Sequence, residues 1–194
     1  FTASPTVRIV SPPSRIAQKG TTVSAVANGP AGVTKVAFHL GKRKVCEDKT
    51  APYGCKILPR GEDVGRTSIR AVVTDSLGRT AQDLRQTRVP KFKLKNLLVK
   101  ARRSGARKAR IVVRGRLVLP PRVKKADGCG ASRIDLVARL GKRSLTNQQL
   151  TLAGCAFKAL VAAPKAKGRK RVVIRVRFPG NDTLAASARV RKVR

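Results

Sequence analysis

The feature that most constrains the fold is a two-residue alternation of apolar and polar side chains in short runs. Ile134, Leu136, Ala138 and Leu140 alternate with Arg133, Asp135, Val137 and Arg139. Val36, Phe38 and Leu40 alternate with Lys35, Ala37 and His39, and Ile174, Val176 and Phe178 with Arg175 and Arg177. Successive side chains of a strand point to opposite faces, so each run buries one face and wets the other. The spacing of an amphipathic helix is scarce along the chain. Turn pairs punctuate the runs, among them Pro12-Pro13, Asn28-Gly29-Pro30, Gly41-Lys42, Leu77-Gly78, Pro120-Pro121, Gly141-Lys142 and Pro179-Gly180. Strands are expected near 6–11, 21–28, 33–40, 43–49, 53–58, 66–75 and 80–89, then 91–101, 109–119, 132–140, 143–152, 155–162, 170–178 and 186–193. About seven short antiparallel strands in each half is the pattern of a β-sandwich.

The halves also resemble each other. Phe38-His39-Leu40-Gly41-Lys42-Arg43 matches Ala138-Arg139-Leu140-Gly141-Lys142-Arg143 at an offset of 100, and Gly54-Cys55 meets Gly154-Cys155 at the same offset. A hairpin, a cysteine and a late core strand recur in order. The expectation is an all-β chain of two tandem sandwiches, residues 1–90 and 91–194, joined near Pro90.

Pro5-Thr6-Val7-Arg8-Ile9-Val10-Ser11-Pro12 opens the first half, followed by Val33-Thr34-Lys35-Val36-Ala37-Phe38, Ala51-Pro52-Tyr53 and Ala71-Val72-Val73-Thr74-Asp75-Ser76-Leu77-Gly78. Over residues 5–89 these segments resemble the bacterial immunoglobulin-like (Ig-like) modules of secreted and cell-surface proteins. The second half resembles them through Val176-Arg177-Phe178-Pro179-Gly180-Asn181-Asp182-Thr183-Leu184. The resemblance implies spacer, stalk or adhesive roles, and an Ig-like fold in both halves.

Charge narrows the function classes. The chain has 194 residues and a net charge of +36. Residues 1–90 hold 15 Lys and Arg against 6 Asp and Glu, net +9, whereas residues 91–194 hold 30 against 3, net +27. With 41% hydrophobic residues the chain has enough apolar content to bury a core despite that charge. No apolar run approaches the length of a membrane helix. There is no Met, and Phe1 begins the chain, so a removed signal peptide or a fragment is expected.

Four cysteines, Cys46, Cys55, Cys129 and Cys155, allow three pairings. Pairing within each half gives Cys46–Cys55 and Cys129–Cys155, which implies an oxidising, extracellular compartment. The close C-x-x-C pairs of a zinc site are missing. His39, the single histidine, is expected to be a surface strand residue rather than a general base. Glu47-Asp48 and Glu62-Asp63 are expected to be turn carboxylates rather than Ca²⁺ ligands, and Asp75 and Asp182 to bond their own turns. No nucleophile elbow, phosphate loop or catalytic constellation is present, so no enzyme activity, metal or cofactor is expected.

The functional signal is the placement of Lys and Arg in the second half. Lys93 and Lys95 alternate with Phe92 and Leu94; Arg110, Arg114 and Arg116 with Ile111, Val113 and Leu117. Arg175 and Arg177 flank Val176, and Arg189 and Arg191 flank Val190. Period two should set them in rows on an outer sheet face. Basic loops add Arg102, Arg103, Lys124, Lys125, Arg169, Lys170 and Arg171. Arg forks suit phosphate, sulfate and carboxylate alike, so the expected partner is a polyanion, either nucleic acid or an acidic cell-wall or matrix polymer. The reading is a non-enzymatic extracellular structural or adhesive protein of bacterial type, in one form a repeating subunit of a surface filament built by self-assembly. The alternative is a sequence-nonspecific nucleic-acid binder, for example a coat on extracellular DNA, gripping the backbone. A sugar-stacking module would want exposed aromatics, and Tyr53 is the sole Tyr in a chain without Trp.

Overall fold

The computed structural model describes residues 3–10, 12–104, 110–163 and 171–194. The chain divides into two compact units, Phe1–Lys91 and Phe92–Arg194.

The first unit holds β1 (Thr6–Val10), β2 (Thr21–Asn28), β3 (Val33–Leu40), β4 (Arg43–Asp48), β5 (Tyr53–Ile57), β6 (Gly65–Asp75) and β7 (Thr80–Val89), with a 3₁₀ turn at Gly61–Asp63. They form two antiparallel sheets, ordered β1-β2-β5 and β4-β3-β6-β7. The second unit holds β8 (Asn96–Ser104), β9 (Arg110–Val118), a short helix α1 (Lys125–Cys129), β10 (Arg133–Leu140), β11 (Arg143–Thr151), β12 (Ala156–Ala162), β13 (Val172–Phe178) and β14 (Ser187–Val193). Its sheets run β8-β9-β12 and β11-β10-β13-β14, the first unit's order repeated strand for strand. Each unit is thus an Ig-like sandwich of three strands over four.

The alternation sets the cores. Val36, Phe38, Leu40, Ile69, Ala71 and Val73 meet Ile9, Val23 and Ile57 inside the first sandwich. In the second, Ile134, Leu136, Ile174, Val176 and Phe178 meet Leu97, Ile111, Val113 and Val161. Each fully buried Leu, Ile or Phe contributes roughly 1.5–3 kcal/mol. In the β3–β4 hairpin a bulge falls between Phe38 and His39, and in β10–β11 one falls between Ala138 and Arg139. Both hairpins turn on a left-handed glycine, Gly41 at φ 57° and Gly141 at φ 60°, heading a two-residue loop.

Two elements depart from expectation. The strand foreseen at 91–101 runs instead from Asn96 to Ser104. Phe92, fully buried, spends its backbone on Thr183 and Ala185 in an isolated bridge to Leu184. Lys93 and Lys95 therefore precede the strand and do not stand in a sheet row. The helix α1 occupies a segment whose sequence shows only turn and loop signals, because a single turn is too short to show a helical period.

Both disulfides form. Cys46–Cys55 joins β4 of one sheet to β5 of the other, with Cα atoms 6.3 Å apart. Cys129–Cys155 ties α1 to the turn before β12, with Cα atoms 5.0 Å apart. The cysteine preceding or within the fifth strand recurs, but its partner does not.

Candidate polyanion-binding faces

Antiparallel partners point to the same face, so register sorts the cations of the second unit. On the outer side of the three-stranded sheet, Lys158 of β12, Arg114 of β9 and Lys100 of β8 stand directly opposite one another. Arg116 lies between Ala156 and Leu98, and Arg110 between Ala162 and Ser104. Arg102 sits opposite Val112 on the same side. These six cations are all exposed, and the described residues of that face include no carboxylate. Strands lie about 4.8 Å apart, so the Lys158–Arg114–Lys100 row sets like charges side by side at a cost in stability.

The four-stranded sheet carries a second, opposite array. Its outer side holds Arg133, Asp135, Val137 and Arg139 from β10, Val173, Arg175 and Arg177 from β13, and Lys192 from β14. Arg171, just before β13, lines a shallow concavity there with Arg139 and Arg175. The sequence pattern placed Arg110, Arg114 and Arg116 with Arg175 and Arg177 in rows on one outer face; the fold divides them between two faces on either side of the core.

Arg189 and Arg191 correct the expectation further. They pair with Val176 and Ile174, both core residues, and so lie on the inner side of the edge strand β14. Arg191 Nε donates to Val99 O at 2.9 Å, and Arg189 Nη2 to Asn96 Oδ1 at 2.9 Å, closing the seam between β14 and β8. Arg103 behaves alike. It pairs with buried Ile111, and its guanidinium donates to Arg194 O at 2.8 Å and Ala163 O at 3.0 Å. Lys124 and Lys125 are exposed at the start of α1. Arg169 and Lys170 lie outside the described residues. Lys158, Arg133 and Arg139 escaped the sequence reading of the basic face. The exposed–buried alternation along Ala156–Ala162 is the signal that marks Lys158.

Carboxylates of the first unit are engaged locally. Asp63 accepts from Arg43 at 2.6 Å and from Arg60 N at 2.7 Å. Asp48 accepts from Gly54 N at 2.8 Å and Thr50 N at 3.1 Å, and the backbone bond to Gly54 leads in holding its carboxyl below the usual range. Glu47 meets Lys44 at 2.6 Å and Lys35 at 3.4 Å, and the Lys44 hydrogen bond leads in lowering it. Asp83 of β7 accepts Ile9 N at 2.8 Å, so part of the free edge of β1 is already occupied. Asp75 bonds Leu77 N and Arg79 N, as expected of a turn. In the second unit Asn181, not the expected Asp182, does this work: it accepts from Thr183 N and Leu184 N and donates to Ser132 Oγ. His39 is half-buried between Arg70 and Lys44. Burial first, then both cations, hold its pKa below the ordinary value.

A family model described as bacterial Ig domain matches residues 5–78. Fibronectin(III)-like modules of Clostridium thermocellum CbhA are 32% identical, over 44% of this chain and 96% of theirs, with a TM-score of 0.40. The D00-D0 domain of intimin is 10% identical over 98% of this chain and 99% of its own, with a TM-score of 0.37. A β-glucuronidase of Parabacteroides merdae is 11% identical over 98% of this chain, with a TM-score of 0.36, but this chain spans only 24% of that enzyme. No curated protein matches the sequence.

Proposed function

Since residues 5–78 belong to the bacterial Ig domain family, we propose that this chain is a non-catalytic extracellular structural or adhesive protein whose second unit binds a polyanion. The observation that carries the proposal is the three-stranded face with Lys100, Arg102, Arg110, Arg114, Arg116 and Lys158 exposed together. A face of like charges with no carboxylate among its described residues is destabilised by self-repulsion. A bound anionic polymer relieves that repulsion. Two disulfides fit an oxidising compartment outside the cell.

The test is binding of mixed-sequence duplex DNA, as a convenient polyanion, across 50–200 mM salt. The affinity should fall linearly on a log–log plot, and K100A/R114A/K158A should lower the slope by about 2.7, at roughly 0.9 per lost phosphate contact. Equal binding by the triple variant would overturn the proposal. The same face supports a second reading, a coat on nucleic acid, because Arg forks without exposed aromatics grip backbone and not bases. Competition by a charge-matched acidic polysaccharide separates the two. In the filament form, a subunit this cationic assembles only with its counter-polymer. Light scattering should show growth on adding polyanion and monomers without it.

A further inference from the structure

We propose that the outer face of the four-stranded sheet in the second unit is a trough for a linear carboxylated polysaccharide. This rests on the reading that the unit engages polyanions, but it uses the opposite face and different chemistry. Two shallow concavities of about 550 Å³ each lie side by side on that face, with Val137 and Arg175 lining both. One end is lined by Arg139 and Arg171, the other by Asp135, Asn147, Gln149 and Arg177. Register sets Gln149, Asp135 and Arg177 in one row across β11, β10 and β13, and Asn147, Val137 and Arg175 in the next.

The donor set differs in kind from the acid-free face. Arg175 and Arg177 offer forks to a carboxylate. Asn147 and Gln149 both donate and accept, while Asp135 is a carboxylate that already receives Gln149 Nε2 at 3.3 Å. A phosphodiester backbone presents anionic acceptors and meets Asp135 as a like charge. Sugar hydroxyls donate as well as accept, so they can use Asp135 and both amides at once, while the sugar acids meet the arginines. Val137 and Val173 give an apolar floor for the C–H faces of a sugar ring without an aromatic platform.

The experiment is calorimetric titration of the full chain with galacturonate oligomers and, separately, with polyphosphate of matched charge. Thermal melting checks the fold of each variant. N147A/Q149A should weaken oligogalacturonate about tenfold, the loss of one to two hydrogen bonds, and leave polyphosphate nearly unchanged. K100A/R114A/K158A should keep oligogalacturonate binding and lose polyphosphate. The trough is overturned if the amide variant binds the oligomer as the parent does, or if the three-stranded-face variant loses both polymers in parallel. Polyphosphate binding alone overturns the trough but leaves the polyanion reading standing; binding of neither polymer at low salt overturns both.

Discussion

Arginine plays two physically different parts in the second unit. Arg114 stands exposed in a row of cations, whereas Arg191 and Arg103 spend their guanidinium groups on backbone carbonyls. Arg191→Ala should therefore cost about 1–2 kcal/mol in urea unfolding and change polyanion affinity little, while Arg114→Ala does the reverse. The sequence could not separate them, because an edge strand wet on both sides has no parity: only Val193 of β14 is buried. In the first unit, His39 has a folded pKa below its unfolded value, so protonation favours the unfolded chain. Its contribution is complete above the ordinary histidine pKa and is lost as pH falls toward the folded value. The melting temperature should drop between pH 7.5 and 5.5, and His39→Gln should flatten that slope. Glu47, Asp48 and Asp75 act lower on the scale, since their depressed pKa values give stability that is lost as pH falls through the folded values. For Asp75 burial opposes the shift, and the bonds from Arg79 outweigh it.

At the scale of elements, the alternation told strands from helices and placed most ends within a residue or two. It failed where tertiary pairing overrode it, as at Phe92. That side chain is both the first of the second core and a clip on the loop before β14, so Phe92→Ala should cost about 3–5 kcal/mol by denaturant titration. Gly115 illustrates a constraint that no pattern shows. It sits opposite Phe157, and a Cβ there would strike the aromatic ring and Leu98 O. Gly115→Ala should accordingly be destabilising despite its β-compatible backbone. The offset of 100 proved to carry more than similar residues, since the bulges at Phe38/His39 and Ala138/Arg139 keep the same spacing. Count alone left three pairings of the cysteines; the division into halves, with two cysteines in each, favoured the pairing that formed. Their bridging of sheet to sheet in one unit and helix to turn in the other was not, because spacing holds no information on which elements face each other.

For the molecule as a whole, the charge asymmetry between halves was plain in the composition, but its division between two faces required the register. Self-repulsion of this size predicts that calorimetry at 20 and 300 mM NaCl will show the second unit gaining stability with salt, the first hardly at all. Cys129–Cys155, by the chain-entropy estimate for a 26-residue separation, should contribute about 3 kcal/mol, measurable on Cys129→Ser/Cys155→Ser. The bridge also has a mechanical meaning. A chain anchored at one end and loaded at the other would transmit force straight through that covalent link, so β10 and β11 lie in a loop shielded from tension. Such a unit, when it yields, lengthens by about 90 Å less than its residue count allows, at roughly 3.5 Å for each of the bypassed residues. Pulling single molecules with and without reductant should reveal that hidden length, and would mark the second unit as a tether with a built-in limit on its stretch.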